Sequence, residues 1–167
     1  MVSTASSIKL SDGSFFSATE PQAPPLLNIN VPIGLQFGQT PGQIIVRGIG
    51  HNVQDKENHM SDRTNRNAGL QLASGQTLAL IGNNITLEGG NLTAPGGKIY
   101  LGSISGEALV TLNPAQGYAL GYEGIQKFGN IQLFGQSSIE TSGNGGGVIE
   151  LKGRRIKLDD SYIRADT

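Results

Sequence analysis

Arg155-Ile156-Lys157 stands just ahead of Asp159-Asp160 near the C-terminal end of the chain. Neighbouring carboxylates beside cations are the groups that hydrolyse a glycosidic bond. One protonates the leaving oxygen while the other activates water or attacks the sugar, and both must face one open surface at a set separation. The basic cluster Lys152, Arg154, Arg155 and Lys157 could also contact an acidic glycan. His51, Asp55 and His59 are metal-ligand types, but a metal would need fixed geometry and an ordered second shell. Gly143-Asn144-Gly145-Gly146-Gly147 has the glycine density of a phosphate cradle, yet no Lys-Ser/Thr and helix follow it. It also lacks the aspartate of calcium-binding nonapeptide repeats.

The elements that must position these residues repeat every seven positions. Leu78, Ile85, Leu92 and Ile99 form one apolar row, with Leu80, Leu87, Ala94 and Leu101 beside it and Gly75, Gly82, Gly89 and Gly96 in register. A second block runs Ile149, Ile156, Ile163 beside Leu151, Leu158, Ala165, with Gly146, Gly153 and Asp160 at the corner position. A helix turns about 100° per residue, so positions two apart face nearly opposite ways, whereas in a strand they share a face. A glycine every seventh residue would also cost a helix about 1 kcal/mol each. Short strands joined by corners satisfy both facts. Three seven-residue sides make a circuit of about 21 residues, which places Leu78 under Ile99 and Leu80 under Leu101 at the spacing of parallel strands, about 4.8 Å. Thr86, Thr93 and Thr141 then point outward and serve sheet propensity and solubility.

The rest of the chain is less regular. Ser7–Leu10 and Ser14–Ala18 flank an Asp12-Gly13 turn and read as strand, turn, strand. Pro21, Pro24 and Pro25 must leave any ladder, since proline has no N–H to donate. Leu26–Val31 reads as extended chain, and Gln43–Arg47 as a strand on its β-branched content. Residues from about 50 to 67 are almost wholly polar and are expected to form a loop extruded from the stack. Leu109–Leu112 reads as a strand with its turn at Asn113–Gly117, and Ile131–Leu133 and Ile139–Thr141 as strands leading into the second block. Within this frame the chemical candidates lose their force. Asp160 fills the place of a corner glycine, which aspartate tolerates. Strand alternation sends Lys152 and Lys157 outward as a solvated face, and His51, Asp55 and His59 fall in the polar loop.

Composition narrows the classes further. The 167 residues carry a formal net charge of −1 with only 15% charged residues, so no field draws nucleic acid or anionic lipid. There is no cysteine, which removes disulfides, thiol catalysis and thiolate metal sites together. No apolar run reaches the length of about 20 residues that a membrane-spanning helix needs.

The segment Ser3-Thr4-Ala5-Ser6-Ser7-Ile8-Lys9-Leu10-Ser11-Asp12-Gly13-Ser14-Phe15-Phe16-Ser17-Ala18 resembles the late part of the secretion and haemagglutination-activity domain of filamentous haemagglutinin-type exoproteins. Asn30-Val31-Pro32-Ile33-Gly34-Leu35-Gln36-Phe37-Gly38 continues the resemblance. Leu78–Gly82, Thr86–Ala94, Pro95–Ile99, Phe128–Leu133 and Gly153–Ile156 are similar to the solenoid that follows that domain in the cyanobacterial branch. The resemblance implies a large adhesin exported by two-partner secretion through an outer-membrane transporter, extracellular or on the outer-membrane surface. A signal peptide and an Asn-Pro-Asn-Gly-Ile motif precede this segment in the family. Met1–Ser7 is no signal peptide, and the sole Asn-Pro, Asn113-Pro114, is followed by Ala115. This departure leads to the expectation of a truncated fragment that, expressed alone, stays in the cytoplasm. Right-handed β-helix pectin hydrolases also carry neighbouring aspartates and an Arg-Ile-Lys segment, but there the segment follows the aspartates. Their Asn-Thr-Asp and Gly-His-Gly elements are absent here.

The expected fold is therefore all-β, a right-handed parallel β-helix (β-solenoid) with about three short strands per coil. Residues 1–37 would be the C-terminal portion of the haemagglutination-activity domain, and residues 38–167 β-helix repeats with a polar loop near 50–67. The expected function is a structural or adhesive segment that is not an enzyme. No catalytic, cofactor or metal residues are assigned; family members use the outer-membrane transporter of the two-partner system, but the recognition motif for it is missing here, and surface glycans rather than nucleic acid are the other candidate partner. The alternative is a polysaccharide-acting or glycan-binding β-helix protein.

Overall fold

The computed structural model describes residues 1–20, 30–51, 68–116 and 118–167. The chain is all-β. Its strands are β1 (Val2–Ser3), β2 (Ser7–Leu10), β3 (Phe15–Ser17), β4 (Pro32–Phe37), β5 (Gln43–Arg47), β6 (Leu70–Gln71), β7 (Thr77–Glu88) and β8 (Asn91–Thr93). There follow β9 (Lys98–Ser103), β10 (Ala108–Asn113), β11 (Ala119–Gly121), β12 (Asn130–Phe134), β13 (Ser138–Glu140), β14 (Val148–Lys152), β15 (Arg155–Leu158) and β16 (Tyr162–Arg164). A 3-10 turn, Pro114–Gln116, joins β10 to β11.

The long strand β7 organises the molecule. Its first half pairs in parallel with β9, in the register Leu78↔Ile99 and Leu80↔Leu101 that the seven-residue repeat predicts. Its second half pairs in parallel with β5 and β12, so that Ile85 lies between Ile44 and Ile131. One curled seven-stranded sheet results, with β14 beyond β9 and β15 beyond β12. The bend between the two halves is made at Asn84, whose φ is +43°, rather than at Gly82, which is not left-handed. Asparagine reaches that region more readily than most residues. A second parallel sheet runs β16-β13-β8-β6. Residues of both sheets, among them Leu80, Leu87, Leu92, Leu101, Ile131 and Ile139, meet in one apolar cluster. Each contributes about 1.5–3 kcal/mol by leaving water.

The other five strands depart from the expected β-solenoid: the chain is not a uniform stack of coils with three short strands each, because an antiparallel sheet is built into it. They form an antiparallel sheet in the order β11-β10-β4-β2-β3, with β2 and β3 joined at the expected Asp12-Gly13 turn. This sheet covers the outer face of β7 and β9. Leu35, Phe37, Val110 and Leu112 pack there against Ala79, Ile81 and Tyr100, making a second core. That cover explains why Leu78-Ala79-Leu80-Ile81 is apolar without alternation: both faces of the strand are buried.

Two smaller expectations are also revised. Thr141 is fully buried instead of facing solvent, because the glycine-rich turn lies over it; a Cβ on Gly147 would come within 2.5 Å of the Thr141 Cβ. Ile156 and Leu158 belong to the inward rows, yet they stay 42% and 43% exposed. The cause is that β15 is an edge strand with a neighbour on one side only.

Candidate functional site

The sequence candidates are dispersed. Arg155 and Lys157 lie on β15, both exposed, in register with Asn130 and Gln132 of β12. Lys157 forms an exposed ion pair with Asp159 at 3.6 Å. The Asp159 backbone N–H donates to Leu133 O at 2.9 Å, and its carbonyl accepts from the Ser161 hydroxyl at 2.9 Å. Asp160 sits at the corner with φ +46°. The two carboxylates thus belong to an exposed turn, one of them engaged by a lysine. The basic cluster also divides. Lys152 Nζ lies 5.8 Å from the centroid of the Phe128 ring, while Arg154 reaches Asn130 Oδ1 through Nε and Nη2 at 3.4 Å each. Asp55 and His59 lie outside the described residues. His51 is described, and its ring meets that of Tyr162 edge-on at 4.8 Å. Pro21, Pro24, Pro25 and Leu26–Ile29 also lie outside. Among the described residues no helix is long and apolar enough to cross a membrane, and no group of three His, Asp or Glu side chains gathers.

A concavity that sequence reasoning missed opens where residues 104–128 leave the parallel stack and return to it. The exit and return are held together by hydrogen bonds: Ile104 N–H donates to Gly82 O at 2.7 Å, and Gly129 N–H to Ser103 O at 3.0 Å. The Asn84 bend is pinned from both sides. Its N–H donates to Ser103 Oγ at 3.0 Å, and its Oδ1 accepts from Asn130 N–H at 3.0 Å. The resulting cavity, about 530 Å³, is lined by Asn84, Ser105, Gln126, Lys127, Phe128 and Arg154, among others. A second of about 470 Å³ shares Gln126 and Lys127 and adds Glu107. Amides, a hydroxyl, two cations and one aromatic face could bind a hydroxylated ligand. Among the described residues, those lining the first cavity include no carboxylate. The one signal in the sequence was Asn83-Asn84, two turn-forming residues directly after the apolar run Leu78–Ile81 within one strand.

A second missed feature is a buried polar seam. Asn91 donates through Nδ2 to Gly50 O at 2.8 Å and accepts from the Ser138 hydroxyl at 2.7 Å. Ser137 Oγ accepts from Gly90 N–H at 3.1 Å and lies 2.9 Å from Leu87 O and 2.7 Å from Phe134 O. Buried polar groups matched in this way fix register rather than perform chemistry. Nearby, burial and then the Glu140 charge raise the Tyr162 phenol above its ordinary value.

Residues 1–151 match the family model described as TPS secretion domain. No curated protein and no solved structure matches the chain.

Proposed function

Since the chain belongs to the family of TPS (two-partner secretion) secretion domains, we propose that it is a structural segment of a filamentous haemagglutinin-like adhesin. The family is secreted and works with a dedicated transporter, and the proposal extends this to the present fold. The parallel sheets would be faces of a right-handed β-helix with three short strands per coil, and the antiparallel sheet an outgrowth from its side. The match over residues 1–151 carries the reading. The right hand is supported by the general preference of parallel strand crossovers. The segment performs no catalysis: Asp159 and Asp160 serve a turn, and their replacement by Asn leaves polysaccharide unhydrolysed by variant and parent alike.

The test is binding of the purified chain to the isolated periplasmic region of a two-partner transporter, followed by interferometry. Saturable binding that persists in the Asp159→Asn/Asp160→Asn variant is the expected result. Absence of binding to transporters from several branches of the family would overturn the partner assignment.

A second reading is favoured by the concavity at Asn84 and Phe128, which has the side chains to hold a glycan by amide hydrogen bonds and ring contact. It predicts array binding that Phe128→Ala abolishes without loss of folded structure. A blank array removes it and leaves the transporter reading intact.

A further inference from the structure

The concavity at Asn84 and Phe128 presents hydrogen-bond donors in excess. Asn84 Oδ1 is taken inside the protein, where it accepts from Asn130 N–H at 3.0 Å, and Asn130 Oδ1 accepts from Arg154 Nε and Nη2 at 3.4 Å each. Both amides have therefore spent their oxygens, and neither Nδ2 has a partner among the described residues. Arg154 Nη1 is unpartnered as well, and neither Arg154 nor Lys127 forms an ion pair among them. Lys152 adds a third cation at the rim, its Nζ 5.8 Å from the centroid of the Phe128 ring.

Guanidinium, ammonium and amide N–H groups only donate, so the ligand they fit is rich in acceptors. A neutral sugar brings hydroxyl protons that need acceptors in return. A carboxylate brings acceptors alone, and a guanidinium can meet its two oxygens with two parallel N–H bonds. The adjoining cavity, about 470 Å³, has a different character. It shares Gln126 and Lys127 with the first and contains Glu107, the one carboxylate among the described residues that line either. Glu107 repels a second anion but accepts from hydroxyls. The backbone fixes the wall between the two: Ile104 bridges to Phe128, and Ser105 N–H donates to Lys127 O at 3.0 Å.

Resting on the glycan-binding reading above, we propose that the two cavities are adjacent subsites for an acidic oligosaccharide. A uronate unit is held by Arg154, Lys127 and the Asn84 and Asn130 amides, and a neutral sugar unit lies beside Glu107. The charge that recognises the ligand is local, since the chain as a whole carries a formal net charge of −1. Arg155 and Lys157 of the basic cluster do not line either cavity, and Lys157 pairs with Asp159 at 3.6 Å.

Calorimetric titration of the purified chain with three oligosaccharides of equal length tests this. One alternates glucuronate with N-acetylglucosamine, one is galacturonate throughout, and one is N-acetylglucosamine throughout. The alternating oligosaccharide is expected to bind tightest, about tenfold or more above the neutral one, as a charge-assisted hydrogen bond would supply. Arg154→Gln should bring it down to near the neutral affinity, while Arg155→Gln, which removes the same charge outside the cavities, should leave it unchanged. Glu107→Gln should raise the affinity for the galacturonate oligosaccharide. Circular dichroism of each variant separates loss of the site from loss of fold. Equal binding of the neutral and alternating oligosaccharides overturns the uronate subsite and keeps the glycan reading, whereas no binding of any of the three overturns both. Equal losses in Arg154→Gln and Arg155→Gln would mean diffuse attraction and overturn the site. Galacturonate binding indifferent to Glu107→Gln overturns the pairing of an acidic with a neutral subsite.

Discussion

At the scale of single residues, the inward and outward rows make opposite demands on neighbouring positions. Leu87 is fully buried between the two parallel sheets, while Thr86 beside it is only partly covered. An aspartate at 87 would place an unpaired charge in the apolar cluster, a change whose cost exceeds about 4 kcal/mol. Leu87→Asp is therefore expected to unfold the chain, and Thr86→Asp to shift the denaturation midpoint by less than about 1 kcal/mol in equivalent stability. Urea titration of both variants checks the assignment, and the opposite ranking would mean that the rows are exchanged. Residue types also show where reading ended. Leu78, Leu80, Ile99 and Leu101 were legible because one face of a strand has a period of two. Asn91 and Ser138 were not, since a buried hydroxyl and amide differ from exposed ones only in the partners that the fold brings to them.

At the scale of elements, the seven-residue repeat revealed β7, β8, β9 and the last three strands, but not the sheet laid against them. β4 and β10 pair across more than seventy residues of chain, and no local pattern in either names the other. The uninterrupted apolar run in β7 was the available sign that a strand buried on both faces needed a second layer. The concavity was hidden for the same reason, being made where segments distant in sequence converge. One consequence of that layer is measurable. Tyr122 packs under the antiparallel sheet beside Gly102, and burial first, then the charge of Glu150 and the neighbouring Tyr100, push its phenol far above the usual 10.0. The folded state thus prefers the protonated phenol. The stability this supplies is intact below the unfolded value, near pH 10, and declines as the pH rises beyond it, by up to about 1.4 kcal/mol per unit. Tyr122→Phe should flatten the fall of the melting temperature above pH 10. An unchanged slope would show that the phenol titrates freely.

At the scale of the whole molecule, registers divide the stack into two parts. Leu78 and Ile99 are twenty-one residues apart, and Leu70 and Leu92 twenty-two. In the later block, Ile131 and Ile156 are twenty-five apart and Ile139 and Ile163 twenty-four. Contacts that join the two blocks span about twice that distance, as between Ile85 and Ile131 or Ile99 and Ile149. Doubling a loop costs only about 0.6 kcal/mol, so the intervening strands burden the finished stack little. The order of events is another matter. Short closures form first, and each block can make its short-range strand pairings before the chain between them has settled. Residues 70–101 and 130–164 should therefore behave as two cooperative units of amide exchange, with the later one opening at lower free energy because its last inward row faces water. Pulse-labelled exchange during refolding would display them as two groups of amides protected in succession. A chain whose shortest contacts close within two blocks can commit each block in turn, so that a fault in one need not undo the other.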